Sequence, residues 1–179
     1  MGNMFLSPSR PFYQSVSIIN LQSIDINEYI KFAIHHFSKN RKEITPETIE
    51  KIYEMFDGIT WYVQKILHTL YNSVNNGVQC GIESVLPAVE YVIKSNEYTY
   101  LETLYRLPEK QKELLVAIAK EKATQEITSA NFVKKYKLIS ASSVQSALKG
   151  LFEKDFITRE NNIIQVYDRF FALWLRKNY

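Results

Sequence analysis

The stretch SSVQSALKGLFEKDFITRENNIIQVYDRFF (142–171) changes its apolar period twice, and that change decides the fold. Ser142 and Gln145 match an S-x-x-Q capping box, in which the serine side chain satisfies an otherwise orphaned backbone donor. From there Val144, Ala147, Leu148, Leu151 and Phe152 recur at the spacing of one helical face. The period then shortens. FITR (156–159) and IIQVY (163–167) flank the polar turn Glu160, Asn161, Asn162, and asparagine tolerates the positive backbone angles of tight turns. That pattern predicts a β-hairpin. Asp168 is then placed to cap a last helix, with Phe170, Phe171, Trp174 and Leu175 on its buried side.

Working back towards the N-terminus, Leu104, Leu107, Leu114, Leu115 and Ile118 form a helical stripe, and Pro108 starts a new helix near 109. A polar gap from Glu121 to Glu126 precedes a short helix over about 128–137, with Phe132, Val133 and Tyr136 inward. Residues 138–141 form a turn. Helix, short helix, turn, helix and hairpin is the order of a winged helix-turn-helix, here over about 105–167. Its third helix, about 142–154, takes the recognition position. Ser143, Gln145, Ser146 and Lys149 are expected on the outward face, with Arg159 on the wing. Gln and Lys can hydrogen-bond base edges, and Ser or Lys can bind phosphate, so duplex DNA is one candidate partner. The other reading is a domain that packs against neighbouring protein, with Lys134, Lys135 and Lys137 as a solvated face.

The first half reads differently. Residues 1–15 are irregular, with Pro8 and Pro11 breaking any helix. VSIINL (16–21) reads as one β-strand, and no second strand is expected before the C-terminal hairpin. A lone strand cannot satisfy its backbone, so it must pair with the distant hairpin, with another chain or with another domain. Helices follow. Asp25 and Glu28 form a D-x-x-E capping box for a helix over about 26–39. Thr45 and Pro46 open a second, in which Ile49, Ile52, Tyr53 and Phe56 share a face. Gly58 gives it a left-handed cap. A third helix starts near Thr60, with Val63, Ile66, Leu67, Leu70, Tyr71 and Val74 inward. A fourth, over about 82–96, carries Val85, Leu86, Val89 and Ile93. The expected fold class is therefore mainly α: a helical bundle followed by a winged helix-turn-helix with a small β-hairpin.

Composition narrows the chemistry. The 179 residues carry a net charge of +3, but residues 1–95 are net −1 and residues 96–179 net +4. The excess sits in the second half and points weakly to an anionic partner there. Cys80 is the one cysteine, so no intramolecular disulfide forms, as suits a reducing cytoplasm. No apolar run approaches the roughly 18–20 residues of a membrane helix, and no membrane partner is expected. His35 and His36 are adjacent and diverge by about 100° on a helix. His68 stands alone. No metal site is expected. There is no phosphate-loop, dinucleotide or nucleophile-elbow motif. Helix capping accounts for Asp25 and Glu28, and Cys80 reads as a half-buried bystander rather than a nucleophile. Trp61 and Trp174 read as core. An enzyme is not expected.

The stretches MFLSPSRPFYQSVSIINLQSID (4–25), FDGITWYVQKILHTLY (56–71), SSVQSALKGLFEKDFI (142–157) and VYDRFFALWLRK (166–177) together resemble the C-terminal part of the archaeal-type P-loop ATPases of the AAA+/STAND group, which also occur in Bacteroides-type bacteria. That resemblance implies three parts: residues 1–23 as the tail of an ATPase core, 24–97 as its helical lid, and 98–179 as a winged helix. It places the phosphate-binding motifs upstream, so the chain is expected to be a C-terminal fragment. ATP and Mg²⁺ would belong only to the missing core. Arg10, Gly58 and Thr60 are the positions that would lie near nucleotide in a complete protein; the family often has Pro where this chain has Thr60. The implied function is a non-catalytic regulatory or interaction module coupled to nucleotide state. Its partners would be the core or other protein chains, and it would form a homo-oligomer through pairing of residues 1–21. The alternative is a stand-alone winged-helix transcriptional regulator that binds duplex DNA.

Overall fold

The computed structural model describes residues 22–179. The strand expected over 16–21, with the pairing proposed for it, lies outside the described residues, as does Arg10. Among the described residues five α-helices come first: α1 (Ile26–Ser38), α2 (Pro46–Met55), α3 (Thr60–Ser73) and α4 (Val85–Ser95), which form the bundle, and α5 (Glu97–Tyr105), which leads into the second half. Asp25 caps α1 by accepting from the Asn27 amide at 2.8 Å. Glu28 does not close the expected box. Its carboxylate instead takes Lys31 Nζ at 2.7 Å, one turn along the exposed face. Thr45 caps α2 by accepting from Thr48 N at 3.3 Å. Leu86, expected inward, is 62% exposed, because α4 turns Val85, Ala88, Val89 and Val92 to the core instead.

Two strands sit where none was expected. β1 (Glu43–Ile44) pairs in parallel with β2 (Gln79–Cys80), with Ile44 opposite Cys80. The Cys80 carbonyl accepts from Thr45 N at 3.2 Å and from the buried Thr48 hydroxyl at 3.3 Å. This clip joins the start of α2 to the loop before α4. It also gives the buried Thr48 hydroxyl an acceptor, which matters because an unpaired hydroxyl in the core is costly.

The second half is a winged helix. α6 (Glu109–Glu121), α7 (Ala130–Lys135) and α8 (Ala141–Glu153) are followed by β3 (Ile157–Glu160), β4 (Ile163–Val166) and α9 (Arg169–Asn178). The antiparallel hairpin turns at Asn161 and Asn162, with φ of 48° and 64°, the doubly positive geometry whose twist matches the strands. The polar gap before α7 is not plain loop. Thr124 exchanges both backbone bonds with Ile164, at 3.1 and 2.8 Å, and so adds a third strand position to the hairpin. The cap of α8 lies two residues earlier than the sequence pattern suggested. Ser140 Oγ accepts from Ser143 N at 3.2 Å, while the Ser142 hydroxyl bonds Ser140 Oγ at 3.0 Å.

The two halves share one continuous buried cluster. α9 packs on α5 and α6 within the second half and also against α4 of the bundle. The Phe170 ring meets Phe56 at 5.1 Å and Tyr62 at 5.2 Å, while Phe171 stacks on Tyr100 at 5.0 Å. Tyr62 adds a polar link. Its hydroxyl donates to the Tyr167 carbonyl at 3.3 Å and accepts from Arg169 N at 3.1 Å. Asp168 then caps α9 through the amides of Phe170 and Phe171, which fixes where that aromatic pair enters the core.

Two variant pairs test this account. Gly58 has φ +65°, and a Cβ there would lie 2.5 Å from the Tyr53 ring, whereas Gly77 (φ +79°) has nothing within 4 Å. In urea titrations Gly77→Ala is expected to cost about 1 kcal/mol from backbone conformation alone, and Gly58→Ala about 2–4 kcal/mol. Equal costs would show that Tyr53 does not constrain the site. Likewise, Ser140→Ala should lower stability by about 1 kcal/mol and Ser142→Ala by a few tenths; the reverse ranking would return the cap to Ser142.

Candidate functional site

The residues expected at a recognition surface divide into two groups. Gln145, Lys149 and Arg159 line one open depression between α8 and the wing, together with Leu148, Phe152 and Glu153. Arg159 reaches back over the Phe152 ring, its guanidinium carbon 5.2 Å from the centroid, so the wing cation is held against the C-terminal end of α8. Ser146 is exposed one position along. Ser143 stands apart. It is half-buried and lines a small hollow against Leu114 and Leu138, because its backbone is committed to the Ser140 cap.

The α8 side of this face is close to neutral. Lys149 Nζ lies 3.9 Å from a Glu153 carboxylate oxygen one turn along, and α8 carries no other charge. Exposed pairs of this kind are weak, about 0–1 kcal/mol, yet they lower the field a polyanion would meet. On α7, Lys135 is bound at 2.6 Å by Glu121, which also accepts from the Tyr136 hydroxyl at 2.9 Å. Lys134 and Lys137 remain exposed.

Of the positions implied near nucleotide, Gly58 is buried beneath the Tyr53 ring and closes α2 by donating its amide to the Tyr53 carbonyl at 2.9 Å. Thr60 is the exposed first residue of α3. Trp61 next to it was expected in the core. It is instead 61% exposed, and only its edge meets Tyr62 and Phe170. Trp174 does lie in the core, its indole N–H 3.4 Å from Glu97. Cys80 is fully buried, not half-buried, and burial pushes its thiol above the ordinary range, which keeps it protonated and unreactive. His35, His36 and His68 are exposed.

One feature of the site escaped the sequence: the seam where the halves meet. Arg169, only 17% exposed, reaches Asp57 across that seam at 3.3 Å and bonds Gln165 at 2.6 Å. The signal was thin, since Arg169 sits one residue after the α9 cap and Asp57 one before the α2 glycine, more than a hundred residues apart. Among the described residues no helix is long and apolar enough to cross a membrane.

No curated protein and no solved structure matches the chain. Residues 98–177 match a family model described as "Probable winged helix domain". The matched stretch takes in α5 and α9 as well as the helices and hairpin between them. Geometry and match agree, and the C-terminal part of this mainly helical protein is a winged helix domain.

Proposed function

We propose that this protein is a non-catalytic regulatory or interaction module, in which a winged helix is held to a lid-like helical bundle and relays the nucleotide state of a STAND-like ATPase core to a partner protein. The observation that carries this reading is the junction. α9 belongs to the winged helix yet buries Phe170 against Phe56 and Tyr62 of the first half, with the Tyr62 hydroxyl bridging two backbone groups of the second. A domain built this way moves with the bundle rather than as a free reader. The near-neutral face of α8 supports the same reading, because phosphate contacts from Lys and Arg supply most of the affinity of a DNA-binding domain. The resemblance to the lid and winged helix of that ATPase group supplies the nucleotide link. ATP and Mg²⁺ belong to the core, and assembly into a homo-oligomer is part of the proposal.

The second reading, a stand-alone DNA-binding regulator, rests on the depression that gathers Gln145, Lys149 and Arg159. Fluorescence anisotropy with a labelled random duplex at low salt separates the two. We expect no binding tighter than the upper end of the non-specific range, roughly 10⁻⁴ M. Micromolar binding that weakens steeply with salt, and whose salt slope flattens in Lys149→Ala and Arg159→Ala, would move the assignment to the regulator.

Coupling is tested with the two tryptophans, one in each half. In Trp61→Phe and in Trp174→Phe, the remaining tryptophan's fluorescence and the far-UV helical signal are expected to lose structure at the same urea midpoint. Separate midpoints would mean that the halves unfold independently and would sink the relay.

A further inference from the structure

The seam between the halves encloses a cleft of about 260 Å³ at the end of α2, along α9 and beside β4. That is room for several waters at roughly 30 Å³ each, and less than the pockets that take drug-sized ligands. Three cations, Lys122, Arg169 and Arg176, line it against one carboxylate, Asp57. The neighbouring acids are committed elsewhere. Glu121 holds Lys135 and Tyr136, and Asp168 caps α9. Residues 1–21 contain no Asp or Glu, so that segment cannot bring a side-chain counter-charge.

The cations are positioned rather than merely gathered. Arg176 donates Nε–H to the Ala119 carbonyl, which also accepts from the Lys122 amide at the end of α6. This anchors the guanidinium, and no acceptor among the described residues meets its two terminal NH₂ groups. Arg169 is oriented by Gln165 and presents its other edge to Asp57. Lys122 ends α6 with φ 67° and ψ −55°, outside the regions a lysine ordinarily adopts, the kind of local strain that tends to collect at ligand sites. Burial and the nearby Arg169 charge both hold Arg176 below its ordinary value, a cost that an incoming anion would relieve. Asp57 is the displaceable member, since 69% of its side chain is exposed.

We propose that this cleft binds a phosphoryl dianion, held by Arg169, Arg176 and Lys122 in place of Asp57. Two guanidinium forks and an ammonium suit three acceptor oxygens on one tetrahedral centre. Because Asp57 belongs to the first half and the cations to the second, the anion competes with the ion pair across the seam. The site goes beyond the module reading and stands without it.

Isothermal titration calorimetry of the full chain tests the idea, with inorganic phosphate and glycerol phosphate in separate arms and chloride at matched ionic strength as the reference. Binding in the millimolar range or tighter is expected. Equal affinity in the two arms assigns the site to the free anion, and tighter glycerol phosphate assigns it to a monoester. Arg176→Gln should weaken binding at least tenfold. Lys122→Gln, on the exposed end of α6, should weaken it severalfold and serves where Arg176→Gln does not fold. Asp57→Asn removes the competitor and should tighten binding severalfold, the opposite of what loss of a purely structural ion pair would do. No heat beyond the chloride reference, unchanged affinity in the arginine and lysine variants, or weaker binding in Asp57→Asn would overturn the proposal.

Discussion

The structure depends on where one phenylalanine is placed. Phe170 lies edge-on against the stacked rings of Phe56 at the end of α2 and Tyr62 at the start of α3, and the Asp168 cap sets its position on α9. Aromatic pairs of this geometry contribute about 0.5–1.5 kcal/mol each beyond the area they bury. The Tyr62 hydroxyl then settles two backbone groups at the very point where the hairpin ends and α9 begins. Without these contacts the winged helix would still have α6, α8 and the hairpin to pack, but α9 would expose Phe170 and part of Phe171. The bundle would in turn lose its cover over Phe56.

That dependence explains the unusual burden on a ten-residue helix. One side of α9 completes the winged helix against α5 and α6, and another covers α4 of the bundle. Phe170, Phe171, Ala172, Trp174 and Leu175 are all buried, so little of the helix is left to solvent beyond its charged end. Lys177 and Glu90 form a salt bridge across the same seam at 2.7 Å, but both are well exposed, and such a pair contributes little to stability. The apolar contacts hold the halves together.

The local parts of this architecture were legible because each is written in consecutive residues. Asp25, Thr45 and Asp168 cap the helices they precede, the Gly58 turn is left-handed, and two asparagines turn the hairpin. The misses have physical causes that no local pattern carries. β1 and β2 are two residues each, and Thr124 pairs at a single bridge, so none has enough length to show a period of two. They exist because distant backbone groups must be satisfied once the helices have packed, and that demand is tertiary. Ser140 rather than Ser142 caps α8 for a related reason. Several serines in a row offer the same chemistry, and the turn after buried Leu138 selects among them. Leu86 and Trp61 fit an apolar pattern but face outward, since periodicity gives a stripe's spacing and not how wide its partner is. The candidate site was legible only as residue types: the sequence could name Gln145, Lys149 and Arg159, but not that Ser143 turns away from them.

The positive charge of the second half takes on a different meaning once its positions are known. An excess over residues 96–179 suggests a basic recognition surface, as a winged helix invites. Yet Lys149 has Glu153 within 3.9 Å on the same helix, and Lys135 is held by Glu121. Arg159 lies along an aromatic ring. An uncompensated cluster sits instead at the seam, where Lys122, Arg169 and Arg176 line a cleft with Asp57. Partly buried like charges repel in a medium that screens them poorly, so such a cluster raises the free energy of the closed junction while the aromatic contacts lower it. The two act on the same few ångströms of α9. An anion that took the place of Asp57 would neutralise that cluster and release an ion pair that crosses the seam, leaving the aromatic contacts of Phe170 to hold the halves together.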